Sequence, residues 1–151
     1  MRFRIEYIPA GDQPEIVLRC HSMDENARRQ CQAIEALIQE RPAIVYCKGE
    51  QEFYLPSSDI LFFETDGETV CAHTAKDVFK VNYRLYQLET ILPPDFLRIS
   101  KSTIANTGKI LSLTKSLPSS ITVQFDGTNK EVHVSRFYFK TLKEKLGQRR
   151  S

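Results

Sequence analysis

A mainly β fold with a few helices is the class this sequence predicts, and three observations carry it. From Ala43 to Ser135, short runs rich in β-branched and aromatic residues are broken by turn signals at close intervals, the pattern of antiparallel strands in a barrel or sandwich. Asp66-Gly67 and Asp126-Gly127 stand between apolar runs, where a type I′ turn takes positive φ at both central residues. Helical spacing of apolar residues is confined to three stretches, near residues 22–40, 84–92 and 136–146.

Taken in order, Arg2 to Ile8 alternates Phe3, Ile5 and Tyr7 with Arg2, Arg4 and Glu6, which reads as a strand. Ala10-Gly11-Asp12-Gln13-Pro14 reads as a turn and Glu15–Cys20 as the returning strand, so an N-terminal β-hairpin is expected. Ser22 and Glu25 fit a capping box, the hydroxyl accepting from the backbone three residues on and the carboxylate reaching back. Ala27, Cys31, Ile34, Leu37 and Ile38 then form one apolar stripe of a helix running to Glu40, which Pro42 stops. Its other face mixes Arg28, Arg29, Glu35 and Glu40, a solvated surface.

Beyond Pro42, strands are expected at Ala43–Cys47, Glu52–Leu55, Ile60–Thr65, Thr69–His73, Val78–Val81, Phe96–Ser100, Thr103–Ala105, Lys109–Thr114, Ile121–Phe125 and Glu131–Val134. A short helix from Arg84 to Leu92 ends at Pro93-Pro94, and a Ser/Pro loop spans 116–120. Ser135 is positioned to cap a last helix from Arg136 to Leu146, with Phe139, Leu142 and Leu146 on one stripe. The division expected is a hairpin-and-helix extension at 1–42, packed on a main domain at 43–151.

The composition, 41% hydrophobic and 26% charged over 151 residues, is ordinary for a soluble globular protein. No uncharged apolar run is long enough for a transmembrane helix. The start, Met1-Arg2-Phe3-Arg4-Ile5-Glu6, lacks the apolar centre of a signal peptide, so a cytoplasmic location is expected. Cys20, Cys31, Cys47 and Cys71 form no Cys-x-x-Cys pair and have no His at a ligand-like offset, which signals neither metal nor disulfides. Each thiol is expected to serve as a small hydrophobe. Paired carboxylates in an apolar setting, a Gly-rich phosphate loop and a Gly-x-Ser-x-Gly elbow are all missing. His21, His73 and His133 neighbour no Ser or Cys nucleophile pattern. An enzyme, a cofactor and a small-molecule substrate are therefore not expected.

The net charge of +2 hides an asymmetry. Residues 1–97 carry ten Lys/Arg against sixteen Asp/Glu, whereas residues 98–151 carry eleven against three. A split of that kind suggests a polyanion partner engaged by the C-terminal third; a basic helix that is merely solvated would look the same. Two function classes remain, a nucleic-acid-binding protein and a protein-interaction module whose basic face meets an acidic partner or a membrane protein.

Asp59-Ile60-Leu61-Phe62-Phe63-Glu64-Thr65-Asp66-Gly67 resembles the entry hairpin of LytTR domains. Phe96-Leu97-Arg98-Ile99-Ser100-Lys101-Ser102-Thr103-Ile104-Ala105-Asn106 is similar to that family's central signature, and Val132-His133-Val134-Ser135-Arg136-Phe137-Tyr138 with Leu142-Lys143 to its close. The similarity spans roughly residues 43–146 in order and spacing. It implies an elongated fold of several packed antiparallel β-sheets that binds double-stranded DNA through loops in successive major grooves, recognises promoters and regulates transcription in bacteria. Most of the family carry a receiver domain ahead of this one. Only about 42 residues precede the β region here, short of the ~100–150 of an independent domain, so direct phosphorelay control is not expected. The extension resembles that of short stand-alone regulators, for which a regulatory membrane or cytosolic partner protein is a common expectation. Family sites are commonly paired promoter repeats, so two protomers per operator, and a homodimer through 1–41, are also expected.

The resemblance places base contacts in three loops. In the first hairpin turn it implies Glu68 or Thr69; an acid there repels phosphate unless it accepts from a cytosine amino group. Lys101, in a polar Ser-Lys-Ser patch between apolar segments, must point outward and can donate to guanine or phosphate, with Ser102 positioned on phosphate. Ser135 starts the last helix. Arg136 follows it, where free N–H groups and positive dipole meet phosphate; the alternative is an Arg that braces the β domain. Phe137 stands where relatives carry a polar or basic residue. Lys140 is expected on phosphate, and His133, alternating outward with Ser135, either donates to phosphate or is ordinary surface. Asn106 is expected to be structural, a turn-former.

Overall fold

The structure, a computed structural model, describes residues 2–38, 43–116 and 120–148. It divides into two compact units, Met1–Glu40 and Arg41–Ser151.

In the first unit, residues 2–20 pair as no strand; they hold only an isolated bridge between Ala10 and Asp12. The expected hairpin is thus not formed, and Phe3, Ile5 and Tyr7 are 90%, 67% and 98% exposed. Period-two alternation says which face a strand would bury but supplies no surface to bury it on, and a lone two-stranded hairpin is marginal in water. Cys20 is exposed for the same reason, against the expectation of a sheltered thiol. Helix α1 (Glu25–Ile38) follows. Its cap is Asp24, not Ser22: Oδ1 of Asp24 accepts from the Ala27 N–H at 2.8 Å, because the helix begins one residue after Asp24. The expected helix end at Glu40 and stop at Pro42 lie outside the described residues.

The second unit carries two antiparallel sheets. Strands β1 (Tyr46–Lys48), β2 (Gln51–Phe53), β3 (Phe62–Asp66), β4 (Thr69–His73), β5 (Val78–Val81), β6 (Phe96–Ser100) and β7 (Thr103–Asn106) form a seven-stranded sheet in the order β2-β1-β5-β4-β3-β7-β6. Strands β8 (Ile110–Ser116), β9 (Ser120–Phe125) and β10 (Glu131–His133) form a three-stranded sheet in the order β10-β9-β8. The short helix α2 (Leu85–Ile91) precedes β6, and α3 (Arg136–Gln148) closes the chain. Mainly β with a few helices is the observed class. The middle of the expected Ser/Pro loop, 117–119, lies outside the described residues.

Two cores use the two faces of the large sheet. Strand β3 shows why: Phe63 points into one cluster with Tyr46, Phe79, Ile104 and the Leu85 and Leu88 of α2. Phe62, one residue away, points into the other with Ile99, Val123, Phe125, Val134 and Leu142. Successive strand side chains alternate faces, so a strand buried on both sides reads as a continuous apolar run, as Ile60-Leu61-Phe62-Phe63 does. Each such Phe contributes roughly 1.5–3 kcal/mol on burial. Phe62 stacks on Phe125 of the small sheet at 5.2 Å and on His73 at 4.2 Å. Leu142 is fully buried and Phe139 and Leu146 pack on the same cluster, the expected stripe of the last helix.

The Asp-Gly turn at 66–67 differs from the type I′ expectation. Asp66 pairs with Thr69 and ends β3, so the two-residue loop is Gly67-Glu68. Gly67 has φ +65°, while among the described residues positive φ occurs only at glycines. Positive φ at the first loop residue alone is the type II′ pattern.

A half-buried lysine joins the β4–β5 turn to the β9–β10 turn. Nζ of Lys130 donates to the carbonyls of Thr74 (2.9 Å) and Asp77 (3.1 Å) and lies 3.4 Å from Nδ1 of His73. An ammonium has only donors, so the ring nitrogen accepts. Burial, then the Lys130 charge, push the His73 pKa down to about 4, and burial lowers that of Lys130. Thr128 adds a bond to the Ala75 carbonyl at 3.1 Å.

Candidate nucleic-acid interface

The strand register brings two loops to one end of the large sheet. Asp66 faces Thr69, Glu64 faces Thr103, and Ser100 faces Thr103, so the Gly67-Glu68 loop and the Lys101-Ser102 turn project the same way. The Thr65 N–H donates to the Ser102 carbonyl at 2.9 Å, tying the two together. The β6–β7 register shifts by one residue between Arg98 and Ser100, a bulge of the kind that bends a strand and re-aims its end.

Arg98 holds this turn from behind. Its Nε donates to the Ser100 carbonyl at 2.8 Å, its Nη2 to the Lys101 carbonyl, and its Nη1 to Glu89 of α2 at 2.9 Å. With its three partners in different directions, the guanidinium fork acts as a brace rather than a DNA contact. The sequence places Arg98 in the family signature and among the cations of the basic third, without assigning it a structural role. The signal for its role was an arginine inside an apolar strand segment, with an acid in the preceding helix.

Helix α3 starts at the same place. Strand β6 is an edge of the large sheet, and its Ile99 carbonyl accepts from the Ser135 N–H at 2.9 Å. The Ser135 carbonyl in turn accepts from the Tyr138 N–H at 3.1 Å, which makes Ser135 the residue at the helix entrance, as expected. Val132 and Val134 are buried, which turns His133 outward.

Between these elements lies a concavity of about 580 Å³ with mostly apolar walls. Lys101, Ser102, His133 and Ser135 line it, together with Glu64, Ser100, Thr103, Phe137 and Tyr138. Four of the seven residues singled out from sequence therefore meet at one surface, drawn from the β6–β7 turn, β10 and the entrance to α3. Three do not line it. Arg136 and Lys140, one turn apart on α3, are exposed beside it, and Thr69 is half-buried at the start of β4. Glu68 is an exposed turn acid. Asn106 is structural: it is 5% exposed, its Nδ2 donates to the Ile60 carbonyl at 3.0 Å, and its Oδ1 accepts from the Gly108 N–H at 3.1 Å. Its φ of −78° shows that it works by side-chain bonding and not by left-handed backbone.

Several cations of the basic third are engaged within the fold. Arg98 and Lys130 serve as described, Lys115 sits over the Phe139 ring at 4.4 Å, and Lys143 lies 5.8 Å from the same ring. Arg149 and Arg150 lie outside the described residues.

A family model described as the LytTr DNA-binding domain matches residues 50–147. The chain belongs to the LytTR DNA-binding domain family. The match lies within the β-rich second unit, from the β1–β2 turn to the last turn of α3. Uncharacterized HTH-type transcriptional regulators of Staphylococcus aureus are relatives of this LytTR chain. Those of strain COL and strain MRSA252 are 30% and 29% identical over 131 residues, covering 87% of the chain and 88% of each relative. A LytTR DNA-binding domain from Bacillus cereus superposes with a TM-score of 0.63 at 21% identity, over 70% of this chain and 98% of that one. That likeness concerns the fold. No two of the described helices are consecutive elements, since strands separate all three.

Proposed function

We propose that this LytTR domain binds promoter DNA sequence-specifically and that the protein acts as a transcriptional regulator in the bacterial cytoplasm. On this reading Lys101 donates to a base edge or phosphate in the major groove, with Ser102, Ser135 and His133 beside it. Arg136 and Lys140 take the flanking phosphates, and Thr69 reaches the same duplex from the neighbouring hairpin. The observation that carries the reading is the convergence of Lys101, Ser102, His133 and Ser135 on one concavity beside exposed Arg136. The designation of the Staphylococcus aureus relatives as transcriptional regulators supports the regulatory role. Residues 1–42 then serve a second copy or a regulatory membrane or cytosolic partner protein, and the exposed Phe3, Ile5 and Tyr7 offer apolar surface for it. Among the described residues no helix is long and apolar enough to cross a membrane.

The test is capture of genomic fragments by the full chain, followed by sequencing. The reading expects a short repeated motif upstream of genes. Fragments sharing no motif would favour the protein-interaction module, whose basic face meets an acidic partner.

A further inference from the structure

Among the described residues of the second unit, Phe137 is the most exposed of the large apolar side chains, at 85%. Its neighbours on α3 explain part of this. Phe139, Leu142 and Leu146 turn the helix's apolar stripe to the core, and Phe137 falls off that stripe. The ring is held edge-on to Tyr138 at 5.0 Å and 81° and forms part of the wall of the concavity. Both walls and rim bear on what can enter. The walls are mostly apolar and Glu64 adds a carboxylate, which repels phosphate oxygens. Lys101, which shares the concavity with Phe137, and Arg136 and Lys140, one residue before it and three after it on α3, are exposed and give a cationic rim that suits a backbone passing outside. A duplex seated on that cationic rim presents base edges inward, and the apolar group on a major-groove base edge is the thymine C5-methyl.

We propose that Phe137 is a specificity-determining residue that selects thymine by packing its ring against the C5-methyl group. An aromatic ring offers no hydrogen bond to a base edge, so what it reads is shape and apolarity. The inference rests on the DNA-binding reading above and adds the base it prefers.

The experiment uses the full chain and the tightest duplex selected from a random pool, with each thymine replaced in turn by deoxyuridine. Uracil pairs as thymine does and lacks only the methyl. One or two positions should bind about four-fold more weakly when the methyl is removed, the scale of one buried carbon. Phe137→Ala should bind the thymine and uracil duplexes alike, and Phe137→Leu should keep part of the preference. Because the ring is exposed, both variants should melt as the parent does. Equal binding of every uracil duplex by the parent chain, or an unchanged preference in Phe137→Ala, overturns the proposal while selective binding itself stands. Failure to select any duplex over random DNA overturns both this proposal and the reading beneath it.

Discussion

Two lysines of the basic C-terminal third do opposite work. Lys130 is half-buried between the β4–β5 and β9–β10 turns, its Nζ spent on the Thr74 and Asp77 carbonyls. Lys101 stands exposed at the tip of the β6–β7 turn, which Arg98 braces from within. One region consumes a charge to join two turns; the other holds a charge out to solvent on a rigid mount. The difference teaches that cations counted along a sequence are not cations offered at a surface. An ammonium in reach of several carbonyls is worth more to the fold than to a distant phosphate: without it the Thr74 carbonyl loses this donor, at a cost of about 1–3 kcal/mol, while the Asp77 carbonyl keeps the Thr74 N–H.

The largest effect that would sharpen this contrast is on the Lys130 side, through pH. His73 has its pKa lowered to about 4 in the fold, against about 6.5 in an unfolded chain. Its neutral form is therefore favoured by folding. That stability is present above pH 6.5 and is lost as the pH falls towards 4; because the ring is only half-buried, solvent screening cuts the loss to on the order of 2 kcal/mol. Thermal melting across this window should show the loss, and His73→Phe should flatten it; an unchanged slope would contradict the account of this joint.

Next in size, Lys130→Met should lower unfolding free energy by about 1–3 kcal/mol in a denaturant titration. Its preference for selected over random duplex should stay as it was. Lys101→Ala should do the reverse, weakening specific binding by about 1–3 kcal/mol with melting unmoved. Were the Lys101 variant to bind all duplexes as before, the turn would have no role in reading. The smallest effect concerns the neighbouring hairpin, where Glu68 is an acid beside the proposed path of the DNA. Glu68→Gln should tighten binding by about 0.2–1 kcal/mol at low salt, and the gain should fade as salt screens it.

Much of the fold was legible in the sequence, for reasons that particular strands make plain. Thr69–His73, Val78–Val81 and Phe96–Ser100 were expected at their observed bounds, because turn residues flank them and their pattern has a core to answer to. The hairpin at 2–20 shows the same alternation without a core and does not form. Capping misled by two residues, since Ser22 and Asp24 are both good caps and only the observed start of α1 decides between them. At the site, the sequence pointed to Lys101, Ser102, His133 and Ser135, which converge, because each lies near a turn or a helix entrance. It did not reveal Arg98 as a brace, which depends on Glu89 and on the bulge that aims the turn. Nor did it reveal Glu64 and Tyr138 in the same wall, which depends on how β3 and α3 meet.

The central claim is that base edges and phosphates of a duplex occupy the surface around Lys101. A mobility-shift titration of the full chain on its selected duplex, repeated on random DNA while salt is raised, tests it most directly. Affinity should fall linearly on a log–log plot as counterions are released, with preference for the selected duplex surviving excess competitor. Binding that ignores both salt and sequence would contradict it.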